Sequence, residues 1–150
     1  MQRSPSEEIS ALIYSYAERI DAGDFAGIAE VFGNATLTFA GFGDAISGRN
    51  EIQSLYERTT RRYEDGTPRT KHVMTNVIVE VADDGMTASS RSYFTVLQAV
   101  PGGLALQPVI AGRYHNGYEF EEGRWRFASV HIIIDLMGDL GHHMLFDLAP

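Results

Sequence analysis

Arg69-Thr70-Lys71-His72-Val73-Met74-Thr75-Asn76-Val77-Ile78-Val79-Glu80-Val81 is the stretch from which the fold is read. Val77, Val79 and Val81 alternate with residues of the opposite face, and β-branched residues at period two mark a half-buried strand. On strict alternation His72 falls with Met74 and Asn76, on the face away from the valine row. A histidine among apolar neighbours is ordinarily a satisfied core residue. A carboxylate partner changes that reading, and Asp21, far upstream, is the candidate.

Downstream of this strand, Asp83-Asp84-Gly85, Pro101-Gly102-Gly103 and Glu121-Glu122-Gly123 are turn signals. They divide the chain into further strands from Thr87 to Val100, from about Leu106 to Phe120, and from Arg124 to Leu136. Long strands joined by hairpins predict an antiparallel meander. The last segment, Gly138 to Pro150, carries Leu140, Met144, Leu145 and Phe146 and reads as either a short helix or a flap.

Upstream, Ser4-Pro5-Ser6-Glu7 is a capped helix start, and Ile9, Leu12, Ile13, Tyr16, Ala17 and Ile20 recur at helical spacing up to Gly23. Asp21 falls at the C-terminal edge, where the helix dipole disfavours a carboxylate, so surface placement is the plain expectation. Asp24 caps a second helix that runs to Phe32 and stops at Gly33-Asn34. Short strands follow at Thr36-Leu37-Thr38-Phe39 and Ala45-Ile46-Ser47, around the turn Gly41-Phe42-Gly43-Asp44. A third helix is predicted from about Arg49 to Tyr63, with Ile52, Leu55, Tyr56 and Thr59 inward. Helices ahead of a meander make the class α+β, in a single domain over residues 1–150.

Composition narrows the function. A chain of 150 residues with 44% hydrophobic and 21% charged residues suits one globular domain with a substantial core. It has no apolar tract long enough to span a bilayer, and its start lacks the apolar core of a secretion signal, so the expected location is cytoplasmic. With no cysteine, disulfides, thiolate metal sites and a cysteine nucleophile are excluded. The net charge of −8 argues against nucleic acid and anionic membranes as partners. Arg58, Arg61 and Arg62, the basic cluster, read as a solvated helix face.

The order of elements and several local signals resemble the SnoaL-like branch of the nuclear transport factor 2-like superfamily. The resembling pieces are Tyr16-Ala17-Glu18-Arg19-Ile20-Asp21-Ala22-Gly23-Asp24-Phe25, Phe32 ahead of Ala35, Ser47-Gly48-Arg49, Lys71-His72-Val73-Met74-Thr75-Asn76, Gly112-Arg113-Tyr114 and Gly123-Arg124-Trp125-Arg126-Phe127. The resemblance implies a curved sheet wrapped around helices as a cone with a deep apolar pocket. That fold hosts enzymes, binding proteins and assembly subunits, so function rests on the site.

Scytalone dehydratase, bile-acid dehydratase and hexachlorocyclohexane dehydrochlorinase, in that family, pair an aspartate ending the first helix with a histidine early in the first long strand. Asp21 and His72 match those positions, and Tyr16 matches a tyrosine that the bile-acid enzyme carries before its aspartate. The resemblance implies a catalytic set of Asp21, His72 and Tyr16, in which the carboxylate fixes the imidazole and stabilises the imidazolium formed on proton abstraction. Expected substrate contacts are Phe39, Tyr56, Met74, Tyr114 and His131. His131 shares the parity of Trp125 and Phe127 and is read as either a lining or a core residue.

Two departures from the relatives stand out. Arg91 to Val100 holds no second histidine of the kind scytalone dehydratase has on that strand, and Ala128-Ser129-Val130-His131 replaces an arginine common after the Trp-x-Phe of the last strand. His142-His143 with Asp139 lacks the spacing of a metal site, so neither metal nor cofactor is expected. The leading reading is a cofactor-independent lyase or isomerase, dehydratase- or cyclase-like, acting on a small hydrophobic cyclic molecule. The alternatives are a non-catalytic binding protein of the same fold and an assembly subunit like the small subunit of ring-hydroxylating dioxygenases. An uncovered outer sheet face predicts a homodimer or larger homo-oligomer.

Overall fold

A computed structural model describes residues 1–147, and residues 148–150 of the expected C-terminal segment lie outside the described residues. The elements are α1 (Pro5–Asp21), α2 (Phe25–Phe32), β1 (Thr36–Phe39), β2 (Phe42–Ser47), α3 (Arg49–Thr59), β3 (Thr70–Val81), β4 (Thr87–Val100), β5 (Leu104–Glu121) and β6 (Arg124–Met137). The class is α+β. One curved sheet runs β2-β1-β6-β5-β4-β3, with β1 parallel to β6 and every other neighbour antiparallel. The meander β3 to β6 is as the turns predict, and β1 and β2 extend it to six strands.

Helix α1 forms because its start is fully capped. The Ser4 N–H donates to Glu7 Oε2 at 2.7 Å and the Glu7 N–H to Ser4 Oγ at 3.3 Å, with Pro5 just inside. Its apolar stripe, Ile9, Ile13, Tyr16 and Ile20, is buried against the concave sheet face. The helix stops at Gly23, whose positive φ turns the chain so that the next N–H, of Asp24, reaches back to the Arg19 carbonyl at 2.9 Å. A Cβ there would stand 1.9 Å from the Gly66 carbonyl oxygen, so the loop ahead of β3 seats directly on the end of α1. This close approach sets Asp21 beside the first residues of β3.

Two bulges correct the parity expected of the strands. Thr75 pairs with Tyr93 and Ile78 with Arg91, so β3 holds one extra residue, and Asn76 adopts φ 54°. Beyond it Val77 and Val79 turn to the same inner face as His72 and Met74, whereas strict alternation puts them on opposite faces. In β6, Gly117 pairs with Ser129 but Tyr118 with Phe127, which leaves Ala128 over. Trp125 and Phe127 point inward before it, and Val130 and Ile132 after it.

Helix α3 ends at Thr59, short of the predicted Tyr63, because Thr60 turns extended and bridges to Met144. The Leu145 N–H donates to the Thr59 carbonyl at 2.9 Å and the Arg61 N–H to the His143 carbonyl at 2.8 Å. Over its described residues, 138–147, the C-terminal segment is therefore a flap, not a helix. Leu140 buries it, and Tyr63 and Gln98 both donate to the His142 carbonyl. Each apolar side chain buried in this two-layer core contributes about 1.5–3 kcal/mol. Among the described residues no helix is long and apolar enough to cross a membrane.

Candidate active site

Asp21 is nearly buried, and three donors converge on its carboxylate. His72 Nδ1 lies 2.7 Å from Oδ1, the Thr70 hydroxyl donates to Oδ1 at 2.9 Å, and the His72 backbone N–H donates to Oδ2 at 2.8 Å. Burial and the C-terminal end of α1 both oppose a carboxylate at this position. The hydrogen bonds from His72 and Thr70, with the attraction of the His72 ring, outweigh that burial and hold its pKa below the ordinary value. An ionised Asp21 accepts the Nδ1–H, which fixes the tautomer and leaves Nε2 as a lone-pair acceptor. The His72 side chain is 4% exposed, and its ring forms part of a cavity wall.

That cavity is about 450 Å³ in volume and is walled mostly by apolar side chains, among them Ile20, Phe39, Leu55, Phe94, Val96 and Ile132. Exposed residues of β2, Phe42 to Ala45, and Arg58 of α3 border its open side. Its polar groups are few. Tyr16 Oη receives hydrogen bonds from Tyr56 Oη and Tyr114 Oη, each at 3.2 Å. Burial raises all three phenols, Tyr56 to about 12 and Tyr16 and Tyr114 above their ordinary values, so they stay protonated donors. With its oxygen accepting twice, Tyr16 retains its own proton to donate to a ligand. Its ring centre is 6.2 Å from that of His72.

A model of the SnoaL-like domain matches residues 4–131 of this sequence. The chain belongs to the SnoaL-like domain family.

Solved structures agree on the fold. A nuclear transport factor 2-like protein with a cystatin-like fold from Novosphingobium aromaticivorans is 21% identical with a TM-score of 0.71, over 87% of this chain and 81% of that one. ActVI-ORFA from Streptomyces coelicolor is 20% identical with a TM-score of 0.70, over 86% of this chain and 96% of that one. A putative scytalone dehydratase from Novosphingobium aromaticivorans is 16% identical with a TM-score of 0.70, over 89% of this chain and 85% of that one. No curated protein matches the chain.

In this SnoaL-like chain the cavity brings together Tyr16, Phe39, Tyr56, His72 and Tyr114, with Asp21 behind His72. Two expected contacts fall elsewhere. Met74 shares the face of His72 but packs against the core under the helices and is not part of the cavity wall. His131 is turned to the outer face by the bulge at Ala128, where its Nδ1 lies 2.6 Å from Thr38 Oγ1, and Ile132 and Ile134 take the wall positions.

Sequence reasoning missed His143, which lies beyond the stretch matched by the SnoaL-like model. The flap carries it into the cavity wall with Met144 and Phe146, while the ring of its neighbour His142 turns to Gly103. His143 is 5% exposed, its ring centre is 6.0 Å from that of His72, and its Nδ1 has no hydrogen-bond partner among the described residues. Burial, then the neighbouring His72 ring, lowers its pKa to about 4. The signal in the sequence was a histidine pair in a tail that also carries Leu140, Met144, Leu145 and Phe146. Among the described residues no group of three or more histidine, aspartate or glutamate side chains is arranged to hold a metal ion.

Proposed function

We propose that the protein is a cofactor-independent lyase or isomerase, dehydratase- or cyclase-like, acting on a small hydrophobic cyclic carbonyl compound. The observation that carries this reading is the 2.7 Å contact between Asp21 and a His72 whose ring lies in the wall of an apolar cavity. His72 Nε2 removes a proton from carbon next to the carbonyl, and Asp21 stays ionised and stabilises the imidazolium that forms. The Tyr16 hydroxyl, backed by Tyr56 and Tyr114, donates to the carbonyl oxygen as it gains negative charge. The likeness in fold to a putative scytalone dehydratase agrees with this class.

The test is turnover of a panel of small cyclic hydroxy-ketones by wild type, His72→Ala and Asp21→Asn. Full turnover by the His72→Ala protein overturns the lyase reading. The cavity is mainly apolar and open on one side, which also suits a protein that binds an apolar ligand without chemistry. Saturable binding of the same compounds with no turnover selects that second reading.

A further inference from the structure

Among the described residues, the flap supplies a buried group for which the mechanism above has no task. His143 sits in the cavity wall beside His72, its Nδ1 unpaired, and its backbone is tied at both ends. Its N–H donates to the Leu140 carbonyl at 3.1 Å and its carbonyl accepts the Arg61 N–H at 2.8 Å. Nδ1 is itself enclosed, and the ring that it belongs to lines the cavity, where an imidazole N–H can meet a ligand oxygen. Asp21 is committed to His72 and Thr70, Tyr56 and Tyr114 donate to Tyr16, and the Tyr16 proton and His72 Nε2 have their tasks in the mechanism above. His143 is thus a buried polar group of the wall whose Nδ1 has no partner among the described residues and whose ring has no task in the mechanism above.

We propose that His143 is a further catalytic residue, whose ring N–H hydrogen-bonds the oxygen that leaves. This rests on the lyase reading and narrows it to β-hydroxy carbonyl substrates, with one oxygen for Tyr16 and a second for His143. In the step, His72 takes the α-proton, and the C–H electron pair becomes the second bond of the new C=C. The C–O bond breaks, and the oxygen departs as water with the proton that His72 returns. Substrate becomes enone plus water, His72 is restored, and no further reactant is consumed. A neutral imidazole suits this task beside an imidazolium formed on His72, since a charged one would repel it. The burial that keeps His143 uncharged therefore serves the chemistry.

Two probes separate this inference from the reading beneath it. With 2-tetralone in D₂O, exchange at C3 reports proton abstraction alone. With 4-hydroxy-2-tetralone, formation of 2-naphthol reports abstraction from the same carbon together with loss of the hydroxyl. His72→Ala lowers both rates by about 100-fold or more. His143→Phe and His143→Leu, which remove the N–H and keep the volume, lower the ratio of elimination to exchange by about tenfold or more, and His143→Gln recovers part of it. Having two donor-free variants guards against one that fails to fold. A ratio equal to wild type in the folded donor-free variants overturns the role of His143 and leaves the lyase reading standing. No wild-type exchange above the buffer rate overturns both.

Discussion

Nδ1 of His72 lies 2.7 Å from Oδ1 of Asp21, although the two residues are 51 positions apart. The contact joins the end of α1 to the start of β3, so it reports on fold and chemistry together. His72→Ala and Asp21→Asn should each lower turnover of a cyclic hydroxy-ketone by about 10²- to 10⁴-fold. Asp21→Asn should also cost roughly 1–3 kcal/mol in urea unfolding, because its amide cannot accept from all three donors. A variant with wild-type unfolding and wild-type turnover would show the pair to be idle.

Acid should unfold the protein in two separable windows. His143 is held at about 4 in the folded state against 6.5 when exposed, so the unfolded chain binds the extra proton and stability falls as pH drops from 6.5 towards 4. At pH 5 this amounts to about 2 kcal/mol. Asp21 has the opposite charge type and a lowered pKa, so its contribution is present above 3.8 and is lost as pH falls below that value. Melting curves against pH should flatten between 6.5 and 4 in His143→Gln, and below 3.8 in Asp21→Asn.

Tyr16→Phe removes the oxygen that accepts from Tyr56 and Tyr114 and strands two buried hydroxyls. The expected cost is about 1–3 kcal/mol of stability, with a loss in kcat larger than any rise in KM. An effect on KM alone would make Tyr16 a binding residue and not one that meets developing charge.

The bulge in β6 can be checked by ligand binding. Ile134→Trp should fill the cavity and weaken binding of 2-naphthol, followed by fluorescence, by tenfold or more, since about 1.4 kcal/mol is lost for each factor of ten. His131→Ala, on the outer face, should leave that affinity as it is. Loss of binding in His131→Ala would place the ring back in the cone.

Self-association is expected through the outer face of β3 and β4. Val73, Ile78 and Tyr93 are 39%, 44% and 53% exposed on that face, opposite His72, Val77 and Phe94. Light scattering should show a dimer or larger assembly at micromolar concentration, and Ile78→Asp with Tyr93→Asp should dissociate it. A wild-type monomer would remove the expectation.

The sequence by itself determined the elements and their class. Ser4, Asp24 and the three Gly-containing hairpin turns act within a few residues, and caps, turns and apolar periods need no partner to be read. The pairing of Asp21 with His72 was legible as well, as what the resemblance to the dehydratases implies. Tertiary structure decided what depends on a count across strands. One extra residue at Asn76 and one at Ala128 reversed the faces of Val77, Val79 and His131, because a strand's side-chain period is two and a single bulge inverts everything beyond it. His143 was decided the same way. Its place depends on Thr59 and Arg61 pairing with a flap that has no period of its own, so its entry into the cavity belongs to the folded chain alone.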